Sequence, residues 1–308
     1  MTPQFRHVVL GGSCVIGRET VRALLDHGHV PMSVGRRPSD IDGAQSAIAD
    51  LRAPDQVVEV LRGADVAYLV AGLPYDARVW ERQWPLIVRA CIDAALENGT
   101  HLVYLDNVYA YGRVVGPMAE DTPVRPARRK GRVRAHALEM LEDARLRGLA
   151  VTIGRSADFY GPGASTSVFN TFALDRIAAG KKPSWLFNAD QPHSMSYTPD
   201  IGAGLIVLGT NDDARGGTWH LPTAPALSGR EYLAVAAGGP APIGVMGIAA
   251  LRFGALFSTP ARETLEMAYQ YTAPYQFDSR AFENTFGVSA TPTAEGITIA
   301  LAACARPD

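Results

Sequence analysis

The sequence predicts an α/β fold, a doubly wound parallel sheet carrying a smaller C-terminal lobe. Three observations predict it. Short apolar runs alternate with helix-length segments through the first half of the chain, and strands alternating with helices build a parallel sheet covered on both faces. The runs are apolar at nearly every position, which fits strands buried on both sides. A glycine-rich turn, LGGSCVIGRE, joins the first run to the first helical segment.

The elements follow in order. RHVVLGG is a β-branched run ending in glycine. RETVRALLDHG places Val21, Leu24 and Leu25 on one face and stops at Gly28, as a helix C-cap does. VPMSVG reads as a second strand, SAIAD as a short third, and APDQVVEVLRG as a helix with Pro54 in its first turn. DVAYLVAG is a fourth strand, RVWERQWPLIVRACIDAALENG a long helix and THLVYLDN a fifth strand. HALEMLEDARLRG is helical and LAVTIGRS a sixth strand. After Tyr160 the rhythm becomes irregular, prolines and glycines thicken as in GGPAPIG, and short strands mix with helix-like pieces. The expected division is a sheet domain over residues 1–160, with a return contribution from about 190–210, and a mixed lobe over 161–308. The lobe lies over the sheet's C-terminal edge, where open α/β sheets bind ligands.

At 308 residues the chain can bury a large core. Its formal charge of −2 gives no electrostatic reason to expect nucleic acid or an anionic membrane as partner. Cys14, Cys91 and Cys304 are scattered without metal-type spacing, which fits a reduced, cytoplasmic setting. No apolar run approaches the roughly 20 residues that cross a bilayer. A strand begins so near the first residue that a signal peptide is not expected. The histidines show no ligand spacing, so no metal is expected, and no G-x-S-x-G elbow points to a hydrolase.

The turn LGGSCVIGRE sits where a dinucleotide fingerprint belongs. Gly11 makes the tight turn, Gly17 lets helix and strand pack, and the loop residues Ser13, Cys14, Val15 and Ile16 bring the helix N-terminus to a diphosphate. Cys14 stands where a middle glycine normally lets backbone approach the phosphates. A β-carbon there narrows the loop without closing it. The second strand ends in SVGRRPS, and instead of an acidic residue for ribose hydroxyls it offers Arg36 and Arg37, suited to a 2′-phosphate. NADP is therefore favoured over NAD, the plainer alternative being a solvated arginine pair. Asp50 and Leu51 are expected beside an adenine ring, and Ala71 and Gly72 where small residues pass the cofactor.

These features, with LDNVYAYG, RSADFYGPG, SYTPDIGAG and FGVSATPTAEGI further along, resemble the extended short-chain dehydrogenase/reductases, the NAD-dependent epimerase/dehydratase group. The resemblance runs through nearly the whole chain and implies a Rossmann-type sheet, a substrate-binding C-terminal lobe and a small-molecule substrate. It implies a homodimer through the long helix Arg78–Asn98 and the helix after Lys130, where relatives form a four-helix bundle. The family's catalytic Ser or Thr, Tyr and Lys fall on Asn107, Lys130 and Arg134, so all three identities are changed.

The residues present still suggest a site. Asn107 can hold a carbonyl oxygen. Lys130 is a candidate proton donor if burial and the like charge of Arg134 favour its neutral amine. Arg134 keeps its proton, so its role is electrostatic or cofactor-holding. Tyr109 and Tyr111 are the nearest substitute phenols, Tyr111 the more structural by resemblance. Ser156 is expected at the nicotinamide, Phe159 and Tyr160 as pocket walls, and His193 as an acid/base candidate, against the plain reading of a surface histidine. The basic run Arg125–Arg134 is either a solvated face or an attractor for an anionic group. Trp185, Trp219 and several tyrosines are available to line a pocket. The leading expectation is an NADP-dependent oxidoreductase or epimerase-like enzyme on a small carbonyl compound or activated sugar. A non-redox cyclase, isomerase or lyase and a nucleotide-sensing regulator remain open.

Overall fold

The computed structural model describes residues 5–240 and 242–305. Seven parallel strands form the central sheet in the order β11-β6-β5-β4-β1-β2-β3. The strands are β1 (His7–Leu10), β2 (Met32–Gly35), β3 (Gln45–Ile48), β4 (Val66–Leu69), β5 (His101–Asn107), β6 (Val151–Ser156) and, from far along the chain, β11 (Thr218–His220). Strand order reverses between β1 and β4. The C-terminal ends of those two strands therefore part and leave the crevice in which doubly wound sheets bind ligands.

Both faces of the sheet are covered. On one face α2 (Pro54–Leu61), α3 (Ala77–Asn98) and α4 (Arg129–Leu146) pack side by side, burying Trp80, Trp84, Ile87, Val88 and Leu141 against Val8, Leu69 and Tyr104. On the other, α1 (Val15–Asp26) packs against α6 (Thr198–Thr210), and Val21, Leu24, Ile201 and Leu205 meet Val9, Tyr68 and Val103. The helix α3 starts at an Asp76 cap that accepts from the amides of Arg78 and Val79, and ends at Gly99 in the left-handed region (φ 66°). The helix α4 begins at Arg129, earlier than its apolar spacing indicates. Its first turn is fixed from outside, because the Lys130 amide donates to Glu266 Oε1 at 3.0 Å.

The remaining chain builds the lobe. Three two-stranded pieces pair β7 (Asp158–Tyr160) with β10 (Met195–Tyr197), β8 (Ser184–Leu186) with β13 (Gly244–Met246), and β9 (Pro192–His193) with β12 (Leu227–Ser228). Around them lie α5 (Asp175–Ala178), α7 (Gly229–Ala237), α8 (Ile248–Gly254), α9 (Thr259–Glu266) and α11 (Thr293–Cys304), while α10 (Arg280–Phe286) packs Phe282 and Phe286 on Trp219 of β11. The lobe core is aromatic: Tyr160 meets Phe169, Phe169 meets Trp185 and Tyr232, and Trp185 stacks on Tyr232. The chain re-enters the sheet layers through α6 and β11, so the return reaches His220, ten residues beyond the end of α6 at Thr210.

Candidate active site

The turn after β1 has the geometry its glycines require. Gly11 takes φ 98°, and a side chain there would run into the Cα and N of Ala71 on the neighbouring strand end. A β-carbon on Gly17 would strike the Gly11 carbonyl, so helix α1 approaches the loop as closely as glycine permits. Cys14 is the N-cap of α1. Its thiol donates to the Val70 carbonyl at 2.9 Å and accepts from the Gly17 amide at 3.3 Å. Burial pushes the thiol's pKa up, so it stays protonated. The side chain is thus turned to β4 and the helix end, and the crevice beside it is open. Ser13, Cys14, Val15, Ile16, Arg36, Ala71 and Gly72 line one end of a groove of about 580 Å³. A contiguous pocket of about 250 Å³ adds Asp50, Leu51 and Arg52. Arg52 grips Asp50 through Nε at 2.8 Å and holds its carboxyl down at about 2. These residues fit a dinucleotide: the α1 N-terminus would face its diphosphate and Leu51 its adenine.

The groove continues past Trp80, Asn107, Tyr109, Arg134, Ser156 and Phe159. Asn107 caps a short 3-10 turn, residues Val108–Tyr111, with Oδ1 accepting from the Tyr109 amide at 3.1 Å. Its amide nitrogen is left to serve a ligand oxygen. Tyr109 stacks on Trp80, and its hydroxyl is 3.5 Å from that of Tyr75. Burial first, then the neighbouring Tyr75 and Asp158, raises the Tyr109 phenol well above its ordinary range. Arg134 lines the groove but is drawn beneath it. Its Nη1 donates to the Tyr104 hydroxyl at 2.8 Å and its Nη2 to the Leu105 carbonyl at 3.1 Å. Nε lies 3.1 Å from Asp106 Oδ1, within ion-pair range though poorly aligned for a hydrogen bond. Asp106, fully buried, also accepts from Arg155 Nε at 2.9 Å. Arg134 and Asp106 on the groove wall, with Arg155 behind them, therefore form an Arg–Asp–Arg triad with one formal net positive charge.

Beyond Tyr109 the groove opens into a second cavity of about 230 Å³ in the lobe. Tyr75, Tyr109, Asp158, Phe159 and Thr166 are common to both. Asp158 Oδ2 accepts the Tyr271 hydroxyl at 2.8 Å and lies 2.9 Å from His193 Nε2, while His193 Nδ1 faces the Gln270 carbonyl at 3.2 Å. The imidazole stacks on the Tyr271 ring with centroids 4.3 Å apart.

The model of the NAD dependent epimerase/dehydratase family matches residues 7–219, more than half of the chain. The chain belongs to that family. Its whole fold is similar to that of the UDP-N-acetylglucosamine 4-epimerase from Bacillus cereus, at 17% identity over 99% of this chain and 98% of that one, with a TM-score of 0.78. It is similar to a UDP-glucuronic acid 4-epimerase from Bacillus cereus solved with UDP-glucuronic acid and NAD, at 15% identity over 97% and 99% of the two chains (TM-score 0.78). A dTDP-glucose 4,6-dehydratase from Streptomyces venezuelae, solved with NAD, matches at 18% identity over 97% and 96% (TM-score 0.77). At these identities the likeness is one of fold. No curated protein matches the chain.

Within this epimerase/dehydratase frame several sequence expectations are corrected. Lys130 is no free proton donor. It is fully buried, paired with Glu263 and with Glu266 Oε2 at 3.5 Å, and its Nζ stands 4.2 Å over the Tyr75 ring. The two carboxylates come from α9, which docks on the N-termini of α3 and α4, and Glu263 also accepts from the Ala77 amide at 3.0 Å. Tyr111 faces the core instead of a pocket. Its hydroxyl sits 2.6 Å from His220 Nε2, and Arg155 covers its ring at 4.4 Å. Successive residues of the 3-10 turn point different ways, so Tyr109 and Tyr111 part. Tyr160 is buried in the lobe core against Phe169 and Tyr197. His193 is buried behind Asp158 and Tyr271 instead of lying on the surface or lining the cavity. Arg36 borders the groove, whereas Arg37 is exposed and lines neither part of it.

The structure also adds residues that sequence reasoning passed over. Asp158 stands inside RSADFYGPG, a stretch already singled out, and Tyr75 follows the small residues ending β4, so both had a positional signal. Glu263, Glu266 and Tyr271 had none. Only part of the basic run reaches a separate cleft, where Arg128, Arg129 and Arg132 join Arg113, Arg252 and Arg262. Among the described residues no group of three or more His, Cys, Asp or Glu is placed to hold a metal, and no helix is long and apolar enough to cross a membrane.

Proposed function

We propose that this family member binds a nicotinamide dinucleotide, NADP in preference to NAD, and reduces a small carbonyl compound whose oxygen is held by Tyr109 and Asn107. One observation carries the reading: a single groove runs from Arg36 past the α1 terminus to Asn107 and Tyr109, and Tyr109 also faces the lobe cavity. Bound nicotinamide supplies a hydride donor. The chain's own residues supply the rest. Tyr109, held protonated by burial, donates to the carbonyl oxygen, and the Asn107 amide gives a second donor. The Arg134–Asp106–Arg155 triad puts positive charge under the developing alkoxide. With no free lysine to lower the phenol, this arrangement favours proton donation over proton abstraction, hence reduction over alcohol oxidation.

Titrating the protein with NADPH and NADH by nicotinamide fluorescence tests the cofactor half. NADPH is expected to bind more tightly, and Arg36→Ala to weaken it by about tenfold or more while leaving NADH nearly unchanged, the loss of a charge-assisted contact worth about 1.5–3 kcal/mol. Equal losses for both nucleotides reject the 2′-phosphate role of Arg36. Binding of neither rejects the cofactor and turns the assignment to a non-redox isomerase or lyase, the reading favoured by the locking of Lys130 and Arg134 in ion pairs.

A further inference from the structure

The wall of the lobe cavity is mainly apolar. Aromatic and aliphatic side chains, among them Phe169, Phe172, Trp185, Leu186 and Met195, predominate over a few hydroxyls and Gln270, and among the described residues no lysine or arginine lines it. Among those residues the one charged side chain on the wall is Asp158. Its Oδ2 is engaged by Tyr271 and His193, and Oδ1 accepts no hydrogen bond among the described residues. Neighbouring cations do not reach this wall: Arg134 lines the groove beyond Tyr109, where the Tyr104 hydroxyl, the Leu105 carbonyl and Asp106 hold it down. Lys130 lies behind the Tyr75 ring and is neutralised by two carboxylates. The arginine cleft is on the other side of the segment that closes the cavity: Thr264, Met267, Gln270 and Tyr271 face the cavity, whereas Arg262, Leu265, Glu266 and Tyr269 face the arginines.

A diphosphate is recognised by arginine forks, lysines or a helix N-terminus. An ion transferred unpaired into a protein interior costs several kcal/mol after relaxation, and a carboxylate at the neck adds repulsion. The cavity is also small against the 300–1,000 Å³ typical of sites for drug-sized ligands. We infer that the substrate of this site is a small, mainly apolar molecule without phosphate, anchored by one O–H or N–H on Asp158, and that the nucleotide sugars held by similar solved proteins are excluded. This rests on the proposed function for which end of the groove receives substrate. It departs from the UDP-sugars bound in those structures.

The test is read on the nucleotide-free full chain by calorimetry, so it does not depend on a cofactor. The probes are 4-hydroxybenzyl alcohol, phenyl phosphate and UDP-glucose. The neutral alcohol is expected to bind at least about tenfold more tightly than either phosphorylated probe, a gap of about 1.4 kcal/mol. Asp158→Asn should narrow that gap by about tenfold by removing the repelling charge. Val168→Trp, which fills the cavity from its wall, should abolish binding of the alcohol while NADPH binding persists. UDP-glucose or phenyl phosphate binding as tightly as the alcohol overturns the inference. So does an unchanged gap in Asp158→Asn, or failure of the alcohol to bind. UDP-glucose binding that Arg132→Ala abolishes places the diphosphate in the arginine cleft and overturns it equally. If the expected order holds while NADPH fails to bind, the cofactor reading alone falls; if NADPH binds and the order fails, this inference alone falls.

Discussion

The buried Lys130–Glu263 pair fixes how α9 closes the site, and Glu263→Gln measures it. Lys130 has no solvent exposure and Glu263 very little, so the charges cannot be rescued by water. Removing one partner of a buried ion pair costs about 3–5 kcal/mol, because the other is left uncompensated. Two features place this case near the low end. Glu266 Oε2 remains 3.5 Å from the ammonium, and glutamine keeps an acceptor for the Ala77 amide at the start of α3. The expected loss is therefore about 3 kcal/mol. At roughly 1.5–2 °C per kcal/mol for a chain of this length, that is a fall in Tm of about 5 °C. Lys130→Met alone should also destabilise, by leaving Glu263 and Glu266 facing one another without their cation. The double variant Lys130→Met/Glu263→Gln should lose less than the sum of the singles, with a coupling of about 2 kcal/mol. Urea unfolding of the four proteins supplies the cycle. NADPH titration of the same set checks that the groove is intact, since Lys130 does not line it. A Glu263→Gln loss within ~0.5 kcal/mol, the range of ordinary surface substitutions, would refute the docking of α9 on Lys130. A double variant that folds stably but loses NADPH binding would refute the purely structural place given to Lys130.

Three further outcomes follow from other parts of the molecule. Burial holds His7 and His101 at about 4 and His220 at about 3, so each folds as a neutral imidazole. Unfolded histidine takes its proton near 6.5, so the unfolded state binds more protons below that pH, and stability is lost as pH falls. Glu19, Glu120 and Asp200, raised by burial, act in the opposite sense at lower pH. The steepest fall in the urea midpoint should thus lie between about pH 6.5 and 5; a flat or rising midpoint there contradicts the three neutral histidines. Cys14→Ala should cost about 1 kcal/mol by uncapping Gly17, yet change nucleotide affinity by less than about threefold, because the thiol faces Val70. A gain of tenfold or more would show that the thiol obstructs the diphosphate. Tyr109→Phe should leave NADPH binding intact and lower single-turnover carbonyl reduction by roughly a hundredfold, the usual scale for a lost proton donor; an unchanged rate removes Tyr109 from the chemistry.

The parts legible in the sequence were those whose cause is local. The apolar strand runs, the Gly11 turn and the close approach of Gly17 to the Gly11 carbonyl are signalled within a few residues of chain, so the sheet and the glycine turn after β1 could be read directly, although the Ala71 backbone that Gly11 clears lies far along the sequence. Lys130 could not. Its backbone position is set by the order of strands and helices, but its side-chain role is set by Glu263, 133 residues later, on a helix whose irregular surroundings carry no periodic signal. The same holds for Asp158, whose neighbours His193 and Tyr271 lie 35 and 113 residues downstream.

Arg134 shows why the two altered positions belong together. A lysine in its place would present one compact charge to the groove. The guanidinium fork instead reaches the Tyr104 hydroxyl, the Leu105 carbonyl and Asp106 at once, which draws it down onto β5. That leaves no ammonium near the groove to stabilise a phenolate. A tyrosine at position 130 would then lose its activating partner, and a lysine there can be given over to anchoring α9. With both positions committed to ion pairs, the proposed reduction needs its proton donor from another element. The 3-10 turn after β5 offers Tyr109, between the open nitrogen of Asn107 and the stacked ring of Trp80. Under the proposed function the changes at 107, 130 and 134 are one rearrangement, in which the phenol that serves the carbonyl stands at the strand end instead of on the helix.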